Sequence, residues 1–283
     1  MSNNEKITTR TIMKKKGREK IVAITSYDYF TTQLIDRVGV DVILVGDSLG
    51  MVVLGYESTL NVTLEDMIRH TSAVARAKPK ALIVADMPFM TYEASKEDAL
   101  KNASKLIRAG AEAVKIEGGI EYAEIIEALV NAGIPVLGHV GLTPQRKHVF
   151  GGYKLMGKDV ETAKKVLEDA KAVEEAGAFG VVIEFTTAEV AKKVTESIKI
   201  PTIGIGSGPY CDGQIIVISD IIGLTPNPPP FVKKYVDVSS LILEAVSKYK
   251  NDVIESKFPG KEHYWEAPEV VKKFLMRERE FYI

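Results

Sequence analysis

The chain has 283 residues, 46% of them hydrophobic, enough apolar material for one large domain or two ordinary ones. Its 37 basic and 38 acidic residues leave a formal net charge of -1, which excludes the charged surface of a nucleic-acid or membrane binder and favours small-molecule chemistry. A single cysteine, Cys211, and four scattered histidines exclude an internal disulfide and a zinc ligand cluster, and fit a reducing compartment.

In chain order, "MSNNEKITTRTIMKKKGREK" is polar and basic with no apolar segment behind it, and no later apolar run could span a bilayer. The expectation is a soluble cytoplasmic protein without a secretion signal or anchor. The first strand is "IVAITSYD" from Ile21. One pattern then recurs: a helix ends at glycine, a Val/Ile-rich run follows, and the run stops at a polar residue. Its instances are "RVGVDVILVGD" to Asp47, "RAGAEAVKIE" to Glu117, "NAGIPVLGH" to His139 and "EAGAFGVVIE" to Glu184. "ALIVADMP" to Asp86, "IPTIGIGSG" from Ile200 and "GQIIVISD" to about Asp220 complete eight buried strands.

Helical periodicity fills the gaps. Thr63 and Asp66 form a capping box before a stripe of Leu64, Met67, Ile68, Thr71 and Val74. Asp159 opens a helix whose expected buried stripe is Val160, Ala163, Leu167, Ala170 and Val173. Eight strands alternating with helices predict an α/β TIM (β/α)8 barrel as a single domain over residues 1–283, with an N-terminal extension and C-terminal helices. The rival, an open doubly wound sheet, lacks the G-x-G-x-x-G that would open a helix after an early strand.

Strand C-termini of a barrel open on one face. Asp47, Asp86, Glu117, His139 and Glu184 would therefore meet there, with Lys115 on the same side of its strand as Glu117. Each alone reads equally well as a helix cap, a turn former or a satisfied core residue. Together, crowded carboxylates call for a cation, and oxygen donors favour magnesium or manganese. A 2-oxo acid could chelate such a metal, which would acidify the carbon beside the ketone. Glu184, set in "VVIEF", is the candidate general base, and Lys115 supplies positive charge to the substrate. "SLGMVVLGYESTLNV" carries enough apolar residues to serve as a lid and oligomer contact.

The blocks "LVGDSLGMVVLGYESTLNVTLEDM", "ADMPFMTY", "VKIEGG", "GHVGLTPQ", "GGYKLMGK", "IPTIGIGSGPYCDGQIIVISDIIGL" and "TPNPPPFVKKY" resemble, in order and over nearly the whole chain, the ketopantoate (3-methyl-2-oxobutanoate) hydroxymethyltransferase family of pantothenate biosynthesis. The resemblance implies transfer of the one-carbon unit of 5,10-methylenetetrahydrofolate to 3-methyl-2-oxobutanoate, giving 2-dehydropantoate. It implies magnesium on Asp47 and Asp86, with Glu117 beside or just behind them. Ser48 and Lys115 would hold the oxo acid, with His139 close by and the metal-binding Asp47 and Asp86 part of the same substrate site. Glu184 would be the proton acceptor, Gly206 to Gly208 a folate-side contact, and the assembly a homodecamer. Ser207, where many relatives have alanine, is the one departure noticed. Two other readings stay open: a magnesium-dependent lyase or mutase of the phosphoenolpyruvate mutase and isocitrate lyase group, and a non-catalytic barrel for binding or assembly.

Overall fold

A computed structural model of the chain describes residues 5–278. Helix α1 (Thr9–Lys14) precedes β1 (Ile21–Thr25), and α2 (Tyr29–Val38) leads to β2 (Val42–Val45). The short α3 (Leu49–Val52) and α4 (Leu64–Arg76) come before β3 (Leu82–Asp86), α5 (Lys96–Arg108) before β4 (Ala113–Glu117), and α6 (Ala123–Asn131) before β5 (Val136–Gly141). Then come α7 (Lys147–Phe150), α8 (Val160–Glu175), β6 (Gly180–Glu184), α9 (Ala188–Ser197), β7 (Thr202–Ile205) and β8 (Gly213–Ile216). The chain goes on through α10 (Ile218–Ile221), α11 (Val238–Ile254) and α12 (Glu269–Glu278).

All eight strands pair in parallel, in sequence order, and β8 closes on β1. The strands are short, apolar and β-branched, as strands buried on both faces must be. Gly39, Gly110, Gly133 and Gly177 all carry positive φ (85°, 109°, 84° and 90°), so the helix-ending glycines lie where the sequence puts them. Thr63 and Asp66 make the expected reciprocal cap on α4, with Asp66 N donating to Thr63 Oγ1 at 3.1 Å and Thr63 N donating to Asp66 Oδ2 at 3.1 Å.

Three details depart from expectation, the first being that β8 stops at Ile216, so that Asp220 lies in α10 and not at the end of the eighth strand. Only residues 206–212 separate β7 from β8, and they form no helix: glycine and proline crowd a span just long enough to return to the start of the parallel β8. On α8 the buried residues are Val166, Asp169, Ala170 and Val173, while Val160 is exposed at the helix start, beyond the reach of the core.

By internal contacts the chain forms two units. The first runs to Ile221 and resumes over Thr225–Lys234, so it contains every strand; the second comprises Ile222–Leu224 and the chain from Tyr235, and contains α11 and α12. In the first unit one apolar cluster lies between strands and helices, and a second fills the barrel with Ala23, Val42, Leu44, Leu82, Val84, Ala113, Leu137, Val182 and Ile203. Ile12 of α1 belongs to the inner cluster beside Ile21 and Phe179, so α1 plugs the barrel at the strand N-termini. Lys16 fastens that plug by donating to Asp212 Oδ2 at 2.9 Å, and Gly17 N donates to Asp212 Oδ1 at 3.0 Å. With that end closed by apolar packing, the strand C-termini form the open mouth. Among the described residues no helix is long and apolar enough to cross a membrane.

Candidate active site

Side chains alternate along a strand, so the residues above Val84, Ala113, Leu137 and Val182 on the inward columns are Asp86, Lys115 with Glu117, His139 and Glu184. Strand register sets them side by side: Asp86 is level with Lys115, and Glu117 with His139. The polar site is thus the top layer of the barrel's own filling. It opens into a cavity of about 460 Å³ that Asp47, Ser48, Asp86, Lys115, Glu117, His139 and Glu184 all line.

Lys115 is the hub. Its Nζ lies 3.1 Å from Asp86 Oδ1, 3.8 Å from Glu117 Oε1 and 3.0 Å from His139 Nδ1. Burial would strip its proton, but Asp86, Glu117 and Asp47 outweigh burial and hold it charged above the ordinary lysine range. Burial, together with Lys115, pushes His139 well below its usual pKa, so the imidazole is neutral. An ammonium donating to Nδ1 leaves the ring proton on Nε2, which lies 3.2 Å from Glu184 Oε2. Burial pushes Glu184 up to about 7 against the pull of Lys115. Burial and then Asp86 push Asp47 up to about 7, with Lys115 and Gln145 opposing. Glu117 is raised well above the carboxylate range, by burial first.

The structure also brings in residues that the sequence reading missed. Gln145 donates through Nε2 to Asp47 Oδ2 at 2.9 Å and to the Met87 carbonyl at 3.0 Å, while its backbone N–H donates to Glu117 Oε2 at 2.9 Å. Tyr92 Oη lies 3.0 Å from Gln145 Oε1 and 2.9 Å from the Glu117 carbonyl. Gln145 thereby ties two strand ends together. Tyr27 Oη pairs with Ser48 Oγ at 2.9 Å. Gln145 and Tyr27 lie in "GHVGLTPQ" and "IVAITSYD", but nothing in their spacing marks the partner. Ser207 Oγ donates to the Ile183 carbonyl at 2.8 Å and accepts from Thr186 N at 3.1 Å, which braces the end of β6 beside Glu184. Gly206 and Gly208 line a separate depression with Lys20 and Gln214 rather than the main cavity.

A divalent cation suits this donor set. Asp86 Oδ1 is buried without a hydrogen bond, 3.1 Å from the Lys115 ammonium, and the Asp47 N–H donates to Asp86 Oδ2 at 2.9 Å, so the two aspartates are neighbours. Among the described residues no three His, Cys, Asp or Glu side chains are drawn together as a ready-made metal centre. Magnesium asks for less, since one or two carboxylates suffice and substrate and water complete its shell.

Comparison with known proteins adds an independent line. The profile of the ketopantoate hydroxymethyltransferase family matches residues 6–261. Relatives named 3-methyl-2-oxobutanoate hydroxymethyltransferase include one from Caldivirga maquilingensis, 64% identical over 92% of this chain and 98% of its own. Others come from Hyperthermus butylicus (62%, covering 94% and 92%) and Pyrococcus furiosus (57%, covering 92% and 92%). Among solved structures, 2,3-dimethylmalate lyase, of the PEP mutase/isocitrate lyase superfamily, superposes with a TM-score of 0.60 at 19% identity over 96% of this chain and 94% of its own. Phosphonopyruvate hydrolase, in a complex with oxalate and Mg++, gives 0.59 at 13% identity over 97% of each chain. Those two share the fold with this chain; close sequence similarity lies with the transferases.

Proposed function

The chain belongs to the ketopantoate hydroxymethyltransferase family, and from that premise we propose that it transfers a hydroxymethyl group to 3-methyl-2-oxobutanoate. The donor is 5,10-methylenetetrahydrofolate, and one water is consumed as 2-dehydropantoate and tetrahydrofolate form. The observation that carries the reading is the Lys115–His139–Glu184 line at the mouth, which ends in a carboxylate raised to about 7.

Asp47 and Asp86 would hold magnesium, with Glu117 beside or just behind them. The bound ion would polarise the ketone of a 2-oxo acid and so acidify its C3–H. The Lys115 ammonium, kept charged by three acids, offsets the negative charge of the substrate carboxylate and of the enolate oxygen. Ser48, paired with Tyr27, offers a hydroxyl to the oxo acid. Glu184 takes the C3 proton; His139 Nε2 lies 3.2 Å from its Oε2 without a hydrogen bond between them, close enough for the ring to pair with it once substrate is bound. The enolate carbon then forms a bond to the one-carbon unit as that unit leaves its donor nitrogens, and water supplies the hydroxyl oxygen. Met51 and Val52 of α3 line the cavity, which supports a water-excluding role for the 48–62 loop.

An exposed apolar row on α2 (Phe30, Leu34 and Val38) supports self-assembly, with the family's decamer as the proposed state, and the unpaired, buried Cys211 is compatible with a cytoplasmic setting. The test is incubation with 3-methyl-2-oxobutanoate, magnesium and 5,10-methylenetetrahydrofolate. Appearance of 2-dehydropantoate that requires both metal and donor is the expected result. Cleavage of the oxo acid without donor would favour the lyase reading instead.

A further inference from the structure

The catalytic acids and lysine occupy the part of the cavity beneath β2 to β6, yet the cavity continues past β8 to Asp220, Thr225 and Asn227. Its volume of about 460 Å³ lies in the range, roughly 300–1,000 Å³, of pockets that take a drug-sized ligand, far more than a five-carbon acid needs. Among the described residues Asp220 is the one titratable acid or base of the Asp, Glu, His, Lys and Arg types that lines the cavity apart from Asp47, Asp86, Lys115, Glu117, His139 and Glu184. It is 5% exposed and takes no part in the steps described above. The Thr225 hydroxyl lies 3.2 Å from Ser219 Oγ and also bonds the Asp220 side chain, so the loop after α10 holds the acid in place.

Apolar rings line the same cavity as this acid. Phe185 and Phe231 both line the cavity, with centroids 5.8 Å apart and planes tilted by 48°. Phe231 is seated by Gly206: a Cβ there would come within 2.6 Å of the ring, and φ at Gly206 is +61°. The glycine-rich turn after β7 therefore contributes to this end of the cavity by positioning Phe231, not by lining it.

This chemistry selects a ligand. Among the described residues no lysine or arginine but Lys115 lines the cavity, so a phosphate or carboxylate group set against Asp220 would meet repulsion. A flat, uncharged ring with two adjacent N–H donors would satisfy both oxygens of Asp220, as a guanidinium satisfies a carboxylate, while its faces meet the phenylalanines. A 2-amino-4-oxopteridine presents that edge through its 2-amino group and N3–H. We infer that Asp220, with Thr225, Asn227 and the Phe185–Phe231 pair, binds the pteridine ring of the one-carbon donor, an inference that rests on the transferase reading above.

The test compares wild type with Asp220→Asn, which turns one acceptor into a donor facing N3–H. Calorimetric binding is measured for tetrahydrofolate and for its 2-desamino analogue, along with kcat/KM for 5,10-methylenetetrahydrofolate. We expect wild type to prefer tetrahydrofolate by tenfold or more and the variant to lose that preference. The variant should also lose far more in kcat/KM for the donor than in donor-free C3 proton exchange. Equal binding of the two compounds by wild type would overturn the inference, and this needs no variant to fold. Failure of the transferase reading has a different signature: wild type would discriminate between the two compounds and yet make no 2-dehydropantoate.

Discussion

At Glu184, burial raises the carboxyl to about 7 against the opposing pull of Lys115, so the fraction able to accept a proton climbs across the neutral range. Proton exchange at substrate C3 should rise about tenfold per pH unit below about 7 and level off above it. A flat profile from about pH 5 to about pH 9 would contradict the assignment. The same shift affects stability. A carboxyl whose folded pKa exceeds its unfolded one binds extra protons when folded, so its contribution is full below the unfolded value near 4.5 and is lost as pH rises through about 7. Glu184→Gln should therefore be more stable than wild type at about pH 8, by up to about 3 kcal/mol, and nearly equal to it at about pH 4. Denaturant titration at both values checks this. Gln145 works through its neighbours: Gln145→Ala would take the amide from Asp47 Oδ2 and a partner from Tyr92. Activity should fall on the order of 10- to 100-fold. Stability should fall by about 1–3 kcal/mol as buried groups lose partners. An unaltered kcat/KM in a folded variant would show that Gln145 does not position the acids.

At the scale of elements, the 48–62 segment explains why a loop should be so apolar. Leu49 and Val62 are buried in the core while Met51, Val53, Leu54 and Tyr56 are exposed, so the loop is pinned at both ends and presents its middle outward. Leu49→Ala should cost about 2–5 kcal/mol by leaving a cavity under α3, measurable by denaturant unfolding. A loss below about 1 kcal/mol would mean that the loop is not anchored there. The strands were legible because continuous Val/Ile-rich runs and helix-ending glycines are local signals. Two things were not. Val160 obeys the helical period yet lies outside the core, because the stripe of α8 is set by what β5 and β6 present to it, a tertiary fact. Gln145 joins Asp47 across 98 residues, and no spacing rule connects them.

At the scale of the whole molecule, eight strands in sequence order explain how a few polar residues far apart in the chain become one site. The barrel is filled from below by α1 and apolar layers, and its last inward layer is Asp86, Lys115, Glu117, His139 and Glu184. That convergence could be read from strand-end chemistry alone; the order of Lys115, His139 and Glu184, 3.0 and 3.2 Å apart in turn, needed the barrel's register. The most direct test of the account is proton NMR of 3-methyl-2-oxobutanoate in deuterated water with the protein, with and without magnesium, for wild type and Glu184→Gln. The account predicts magnesium-dependent loss of the C3 proton signal with wild type, and slowing by roughly 10²- to 10⁴-fold in the variant. Exchange by Glu184→Gln at the wild-type rate would contradict it.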